Sequence, residues 1–203
     1  MLKKIATIAL LAGVSSVAMA GPWTVKIGGS LVSPQDKNSS LAGGAFKVDA
    51  SAEYGFTPSV EYAFEGTPYS VEVLLGLPFE HDVRAGNVGN SPIASFKHLP
   101  PTITAKYNFV NSTPFTPYVG AGLNITYVWD EEIVIPGAKL EADPSFGLAG
   151  QVGVKYEVPQ QPWGIYADVR YAQIESDLKL DGADIGTLEV NPWVYTVGIS
   201  YKF

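Results

Sequence analysis

The closing stretch WVYTVGISYKF, at 193–203, sets Trp193, Tyr195, Val197, Ile199, Tyr201 and Phe203 at odd positions and Thr196, Gly198, Ser200 and Lys202 at even ones. A period of two belongs to a β-strand with one greasy and one polar face. The same alternation recurs at 145–157, where Phe146, Leu148, Val152, Val154 and Tyr156 oppose Gly147, Ala149, Gln151, Gly153 and Lys155. Working outward from these two, strands are expected at 22–32, 53–64, 69–80, 98–109, 115–128, 145–157, 163–178 and 188–203, eight in all. The connections 65–68, 110–114 and 158–162 are short and rich in Pro, Gly, Asn or Gln, and the other four are longer. Short turns at one rim and longer loops at the other describe an outer-membrane barrel, with the short turns facing the periplasm.

The charges decide which face meets lipid. Lys26, Glu61, Glu72, Lys106, Lys155, Asp168, Arg170 and Lys202 all fall on the less apolar face of their strands, while Ile27, Val60, Val73, Ile103, Leu123 and Val169 fall on the other. Hydrocarbon gives an exposed backbone group or ion no partner, so a spanning sheet must close on itself and turn its ions inward. A soluble barrel with an apolar interior has the opposite sidedness and would bury all eight ions in a greasy cavity. Trp23, Tyr69, Phe109, Phe115, Tyr156, Trp163 and Phe203 gather beside the short turns as an interfacial girdle.

The ends and the composition agree. Lys3 and Lys4, an apolar run at 5–14 and small residues ending at Ala20 form a secretory signal peptide, expected at 1–20, with the barrel at 21–203. Without that peptide's two lysines, 11 basic and 20 acidic residues remain, a net charge of −9. Such a chain lacks the basic footprint that nucleic acid requires. Cysteine is absent, so disulfides are excluded. Glycine and aromatic residues are plentiful and helix-forming stretches are not, which predicts an all-β domain, here an eight-stranded antiparallel up-and-down transmembrane barrel.

Inside the barrel, Glu72, Lys106, Lys155, Asp168, Arg170 and Lys202 lie within several residues of a short turn and are expected to form a salt-bridged plug. Toward the long loops the inward positions become apolar, with Val32, Leu74, Pro78, Leu99, Val128 and Val194 as candidate lining of a ligand channel. Eight strands enclose too little space for a wide aqueous pore. An apolar cavity blocked by ions below suits a small hydrophobic molecule. Pro78 and the pair Pro100 and Pro101 stand near the loop ends of neighbouring strands, and a proline cannot donate to the ladder. They mark a candidate lateral exit into the bilayer.

Several stretches resemble the OmpW/AlkL family of small outer-membrane proteins: VEVLLGLPFEH at 71–81, HLPPT at 98–102, PYVGAGLN at 117–124, GLAGQVGVKY at 147–156 and NPWVYTVGISYKF at 191–203. The resemblance implies an eight-stranded barrel whose hydrophobic channel admits small apolar compounds and releases them sideways. It also implies that apolar side chains on the third and seventh strands narrow the channel. Leu74 holds the first of these positions, and Arg170 stands at the second as a departure from the pattern. The expected function is passive uptake of small hydrophobic molecules by a monomer among outer-membrane lipid and lipopolysaccharide, without enzyme activity, cofactor or metal. A structural or adhesive barrel and a lipid-modifying enzyme are the alternatives; for the latter His81 and His98, with Ser95, Asp82 or Glu80 nearby, are the candidate groups.

Overall fold

A computed structural model describes residues 21–35, 39–41, 46–50, 52–75, 79–85, 92–133 and 137–203. The expected signal peptide and Pro78 lie outside the described residues, as do the side chains of His81, His98, Leu99 and Val128. In chain order the strands are β1 (Trp23–Ser33), β2 (Ser39–Leu41), β3 (Phe46–Ala50), β4 (Glu53–Ala63), β5 (Tyr69–Leu74), β6 (Phe79–Ala85), β7 (Pro92–Leu99) and β8 (Thr102–Asn108). They continue with β9 (Phe115–Ile133), β10 (Leu140–Ala142), β11 (Ser145–Glu157), β12 (Trp163–Ala172), β13 (Glu175–Leu180), β14 (Ala183–Glu189) and β15 (Trp193–Lys202).

Eight of them form a closed antiparallel ring in the order β1, β4, β5, β8, β9, β11, β12 and β15, with β15 pairing back to β1. Closure gives each wall strand a ladder on both sides, which is what a bilayer demands of backbone amides. The register aligns like faces: Ile27 stands opposite Ile199 and Pro58, and Val152 opposite Val169 and Val119. The expected sidedness follows. Val197 is 69% exposed, Leu148 66% and Leu123 60%, whereas Lys26 and Glu72 are 0% exposed and Lys106 2%.

At the short-turn rim the rings touch edge to face, Trp23 against Tyr62 at 4.8 Å, Tyr69 against Tyr107 at 5.5 Å and Trp163 against Tyr201 at 4.6 Å. These pairs build the girdle. In the turn at 109–114, Asn111 Nδ2 donates to the carbonyls of Phe109 and Phe115, which closes it locally.

The described parts of the longer connections contain further strands. The expected third strand breaks after Leu74 and resumes as β6, and the fourth is divided between β7 and β8 by Pro100 and Pro101. β7 continues along the upper part of β9, so that Leu99 stands opposite Tyr127 just as Thr102 stands opposite Asn124. The expected seventh and eighth strands are shorter too, ending at Ala172 and starting at Trp193. Between them β13 and β14 join β10 in a separate three-stranded sheet. That sheet packs its own apolar core from Leu140, Ile174, Leu178, Leu188 and Val190. The break is invisible to a period-two reading, because Ala172, Ile174, Ser176 and Leu178 are all buried and the phase runs through it unchanged. Lys179 Nζ donates to Asp143 Oδ2 at 2.7 Å across this sheet, and the hydrogen bond raises the lysine's proton affinity.

The sidedness carries a direct test. Val197→Arg puts a guanidinium on the lipid face and should lower the refolding free energy in vesicles by roughly 2 to 4 kcal/mol, measured by denaturant titration.

Candidate functional site: a plugged lumen with an apolar upper half

The inner wall carries its ions in one connected group. Glu61 and Glu72 are cross-strand partners on β4 and β5, an arrangement that repels unless cations bridge it. Two lysines do so. Lys106 Nζ donates to Glu61 Oε2 at 2.9 Å and to Glu72 Oε2 at 2.8 Å, and Lys26 Nζ donates to Glu72 Oε2 at 3.0 Å and pairs with Glu61. Arg170 extends the group to the far wall, donating from Nη2 to Glu72 Oε1 at 2.7 Å and Asp168 Oδ2 at 2.9 Å, and from Nε to Asp168 Oδ1 at 3.1 Å. Hydroxyls complete the acceptors: Ser59 donates to Glu72 at 2.7 Å, Ser70 to Glu61 at 2.6 Å and Tyr118 to Asp168 at 2.9 Å.

Lys26, Lys106 and Arg170 balance Glu61, Glu72 and Asp168, so the network is neutral as a whole. Neutrality matters because burying an ion costs several kcal/mol unless its partners are close and well aligned. Two aromatic rings share the space. Lys106 Nζ lies 3.8 Å from the centre of the Tyr118 ring, and Lys26 Nζ lies 5.4 Å from those of Tyr118 and Tyr166. Glycines make room for these rings. A Cβ on Gly153 would sit 2.6 Å from the Tyr118 ring, and one on Gly28 would sit 2.5 Å from the Tyr166 hydroxyl.

Four of the six residues expected in the plug, Glu72, Lys106, Asp168 and Arg170, meet in this network, and two do not. Lys155 pairs instead with Glu157 at 3.0 Å, and Lys202 is exposed at the short-turn rim. Their heights explain the correction: Lys155 stands opposite Thr116 and Lys202 opposite Thr24, both nearer the rim than the network. Lys26 and Glu61 belong to it in their place. Tyr118 and Tyr166 are further members that charge alone does not mark, although both stand at inward positions of their strands.

Above the network, Val32, Leu74, Pro100, Val194, Ala172 and Ile174 surround a cavity of about 40 Å³. Arg170, Gln151 and Thr104 form its polar floor. Of the other expected lining residues, Leu99 stands opposite Tyr127, whose ring is half exposed on the outer wall, and Val128 stands opposite His98. Pro101 is absent from the cavity lining; its carbonyl accepts from Ile125 N–H at 3.0 Å.

Beside this cavity the pairing of the described residues divides into two ladders. The β5–β8 ladder stops at Leu74 and Thr102, and the β6–β7 ladder starts at Phe79 and His98. On the other flank the β4–β5 ladder ends at Ser59 and Leu74, followed by one bond from Leu75 N–H to the Pro58 carbonyl. Among the described residues, the pairing of β5 thus ends at Leu74 and Leu75 on both flanks.

A closed eight-stranded wall, greasy outside and ionic within, defines a small outer-membrane β-barrel. The chain belongs to the OmpW family, whose pattern matches residues 19–203. It is 36% identical over its full length to outer membrane protein W of Vibrio cholerae serotype O1, with all of that protein covered. The crystal structure of OprG from Pseudomonas aeruginosa superposes with a TM-score of 0.79 at 26% identity, covering 91% of this chain and 96% of that one. The outer membrane protein AlkL in lipid bilayers shares the fold, with a TM-score of 0.67 at 22% identity, covering 93% of each chain. The protein resides in the bacterial outer membrane.

Glu72 is the centre of the network, and its removal should show this. Glu72→Gln leaves three buried cations facing two anions and should cost about 3 to 5 kcal/mol of refolding free energy. Ser70→Ala, which removes one neutral donor, should cost about 1 kcal/mol by the same denaturant measurement.

Proposed function

We propose that this barrel is a passive entry route for small hydrophobic molecules. The observation that carries the reading is the division of the lumen: an apolar cavity on the long-loop side is closed beneath by a neutral ion network and bordered by interrupted wall pairing. A guest that enters from the loop side meets Leu74, Val32 and Val194 and cannot continue downward, because the ions and the Tyr118 and Tyr166 rings fill the barrel below. Leaving sideways past the upper end of β5 transfers it from one apolar surface to another. Water and ions gain nothing from either step, which gives the route its selectivity.

The resting cavity is far smaller than the roughly 300 to 1,000 Å³ of an ordinary ligand pocket. Passage therefore requires the guest to part Leu74, Val194 and Ile174 as it enters. Ala172 and Ile174 belong both to the cavity lining and to the core of the β10–β13–β14 sheet, so the apolar surface continues from that sheet into the barrel. In this reading the protein binds and passes its guest without chemical change.

Entry of n-octane into cells with and without the protein tests the proposal. The protein should accelerate entry, and Leu74→Asp should reduce the protein-dependent rate by about ten-fold, since a carboxylate beside the passage disfavours apolar contact. Equal entry in both strains would remove the transport reading and leave a structural barrel.

A further inference from the structure

Four buried side-chain polar atoms have no hydrogen-bond partner among the described residues. Two of these, Nη1 of Arg170 and Oε1 of Gln151, occupy facing positions on β12 and β11, and both residues line the upper cavity. Side chains at such a register position start about 5 Å apart at Cβ. The remaining polar atoms of both groups are committed. Arg170 Nε and Nη2 donate to Asp168 and Glu72, and Gln151 Nε2 donates to Thr104 Oγ1 at 3.2 Å. One donor nitrogen with two N–H bonds and one carbonyl acceptor thus remain on two residues of the cavity floor.

The ion network decides which chemistry they suit. Its three cations and three anions already cancel, so a carboxylate or ammonium guest would leave the buried cluster charged. A hydroxyl is neutral, accepts from Arg170 and donates to Gln151. The cavity of about 40 Å³ also admits a group of that size, since a water-sized sphere occupies only roughly 10 to 15 Å³. We propose that the cavity floor is a head-group site for small apolar molecules carrying one hydroxyl, alcohols or phenols, held by Arg170 Nη1 and Gln151 Oε1. The apolar remainder rests on Leu74, Val194 and Ile174. This rests on the uptake reading and narrows the guest it admits.

The test uses the whole protein in lipid nanodiscs with methyl-labelled Leu and Val, titrated separately with 1-octanol, n-octane and, well above the carboxylate range of pH, sodium octanoate. Guest contacts with the Leu74 and Val194 methyls report occupancy, and the Arg170 guanidinium nitrogen resonance reports head-group contact. 1-Octanol should half-saturate at about one tenth the concentration of n-octane. It alone should shift the Arg170 resonance strongly, with octanoate binding more weakly. Gln151→Met, which keeps the length and loses the amide, should bring 1-octanol to the level of n-octane. Equal binding of 1-octanol and n-octane to the natural protein, tighter binding of octanoate, or a folded Gln151→Met that keeps the preference would each overturn the head-group site while leaving hydrophobic passage intact. If no guest reaches the methyls, the uptake reading falls, and this proposal with it.

Discussion

Hydrocarbon neither accepts a hydrogen bond nor solvates a charge, and the architecture of this chain follows from that single deficiency. The wall must close, because an open edge would leave a row of unpaired amides in lipid. Once it closes on eight strands, the interior has room for side chains and little else. Ions turned away from lipid are therefore pressed against one another, and they can remain there only in balanced numbers and close geometry. The pairing of Glu61 with Glu72 illustrates the constraint: two carboxylates at one register position persist because Lys26 and Lys106 hold them from the flanking strands.

The same crowding separates the lumen into halves of different chemistry. Toward the short turns, the ions and the Tyr118 and Tyr166 rings crowd the interior, and the bare backbone at Gly28 and Gly153 supplies the space those rings occupy. Toward the long loops the ion network ends at Arg170, and the cavity lining changes to Val32, Leu74, Val194 and Ile174. Arg170 stands at this boundary, facing ions with one side of its guanidinium and the cavity region with the rest of its surroundings.

The interrupted ladder at the upper end of β5 belongs to the same economy. A barrel wall is rigid where both neighbours are hydrogen-bonded and weaker where prolines remove donors. Pro100 and Pro101 interrupt the fourth wall strand beside the cavity, while β9 rises unbroken beyond them and carries β7. The outer sheets thus extend the barrel above the point at which its lower ladders end.

Alternation along the chain determined a great deal by itself: eight wall strands, their short and long connections, the lipid face and the aromatic girdle all follow from a period of two and from the sign of each residue's preference for hydrocarbon. These are properties of single residues and their neighbours in sequence. Membership of the ion network is different, because it depends on height. Lys155 and Lys202 share the inward face with Lys106, yet the stagger of β11 and β15 leaves them near the rim, while Lys26 and Glu61 reach the centre. Strand stagger is set by ladders between residues distant in the chain, and so only the closed tertiary structure could sort the ions, divide the lumen and bring Arg170 beside Gln151.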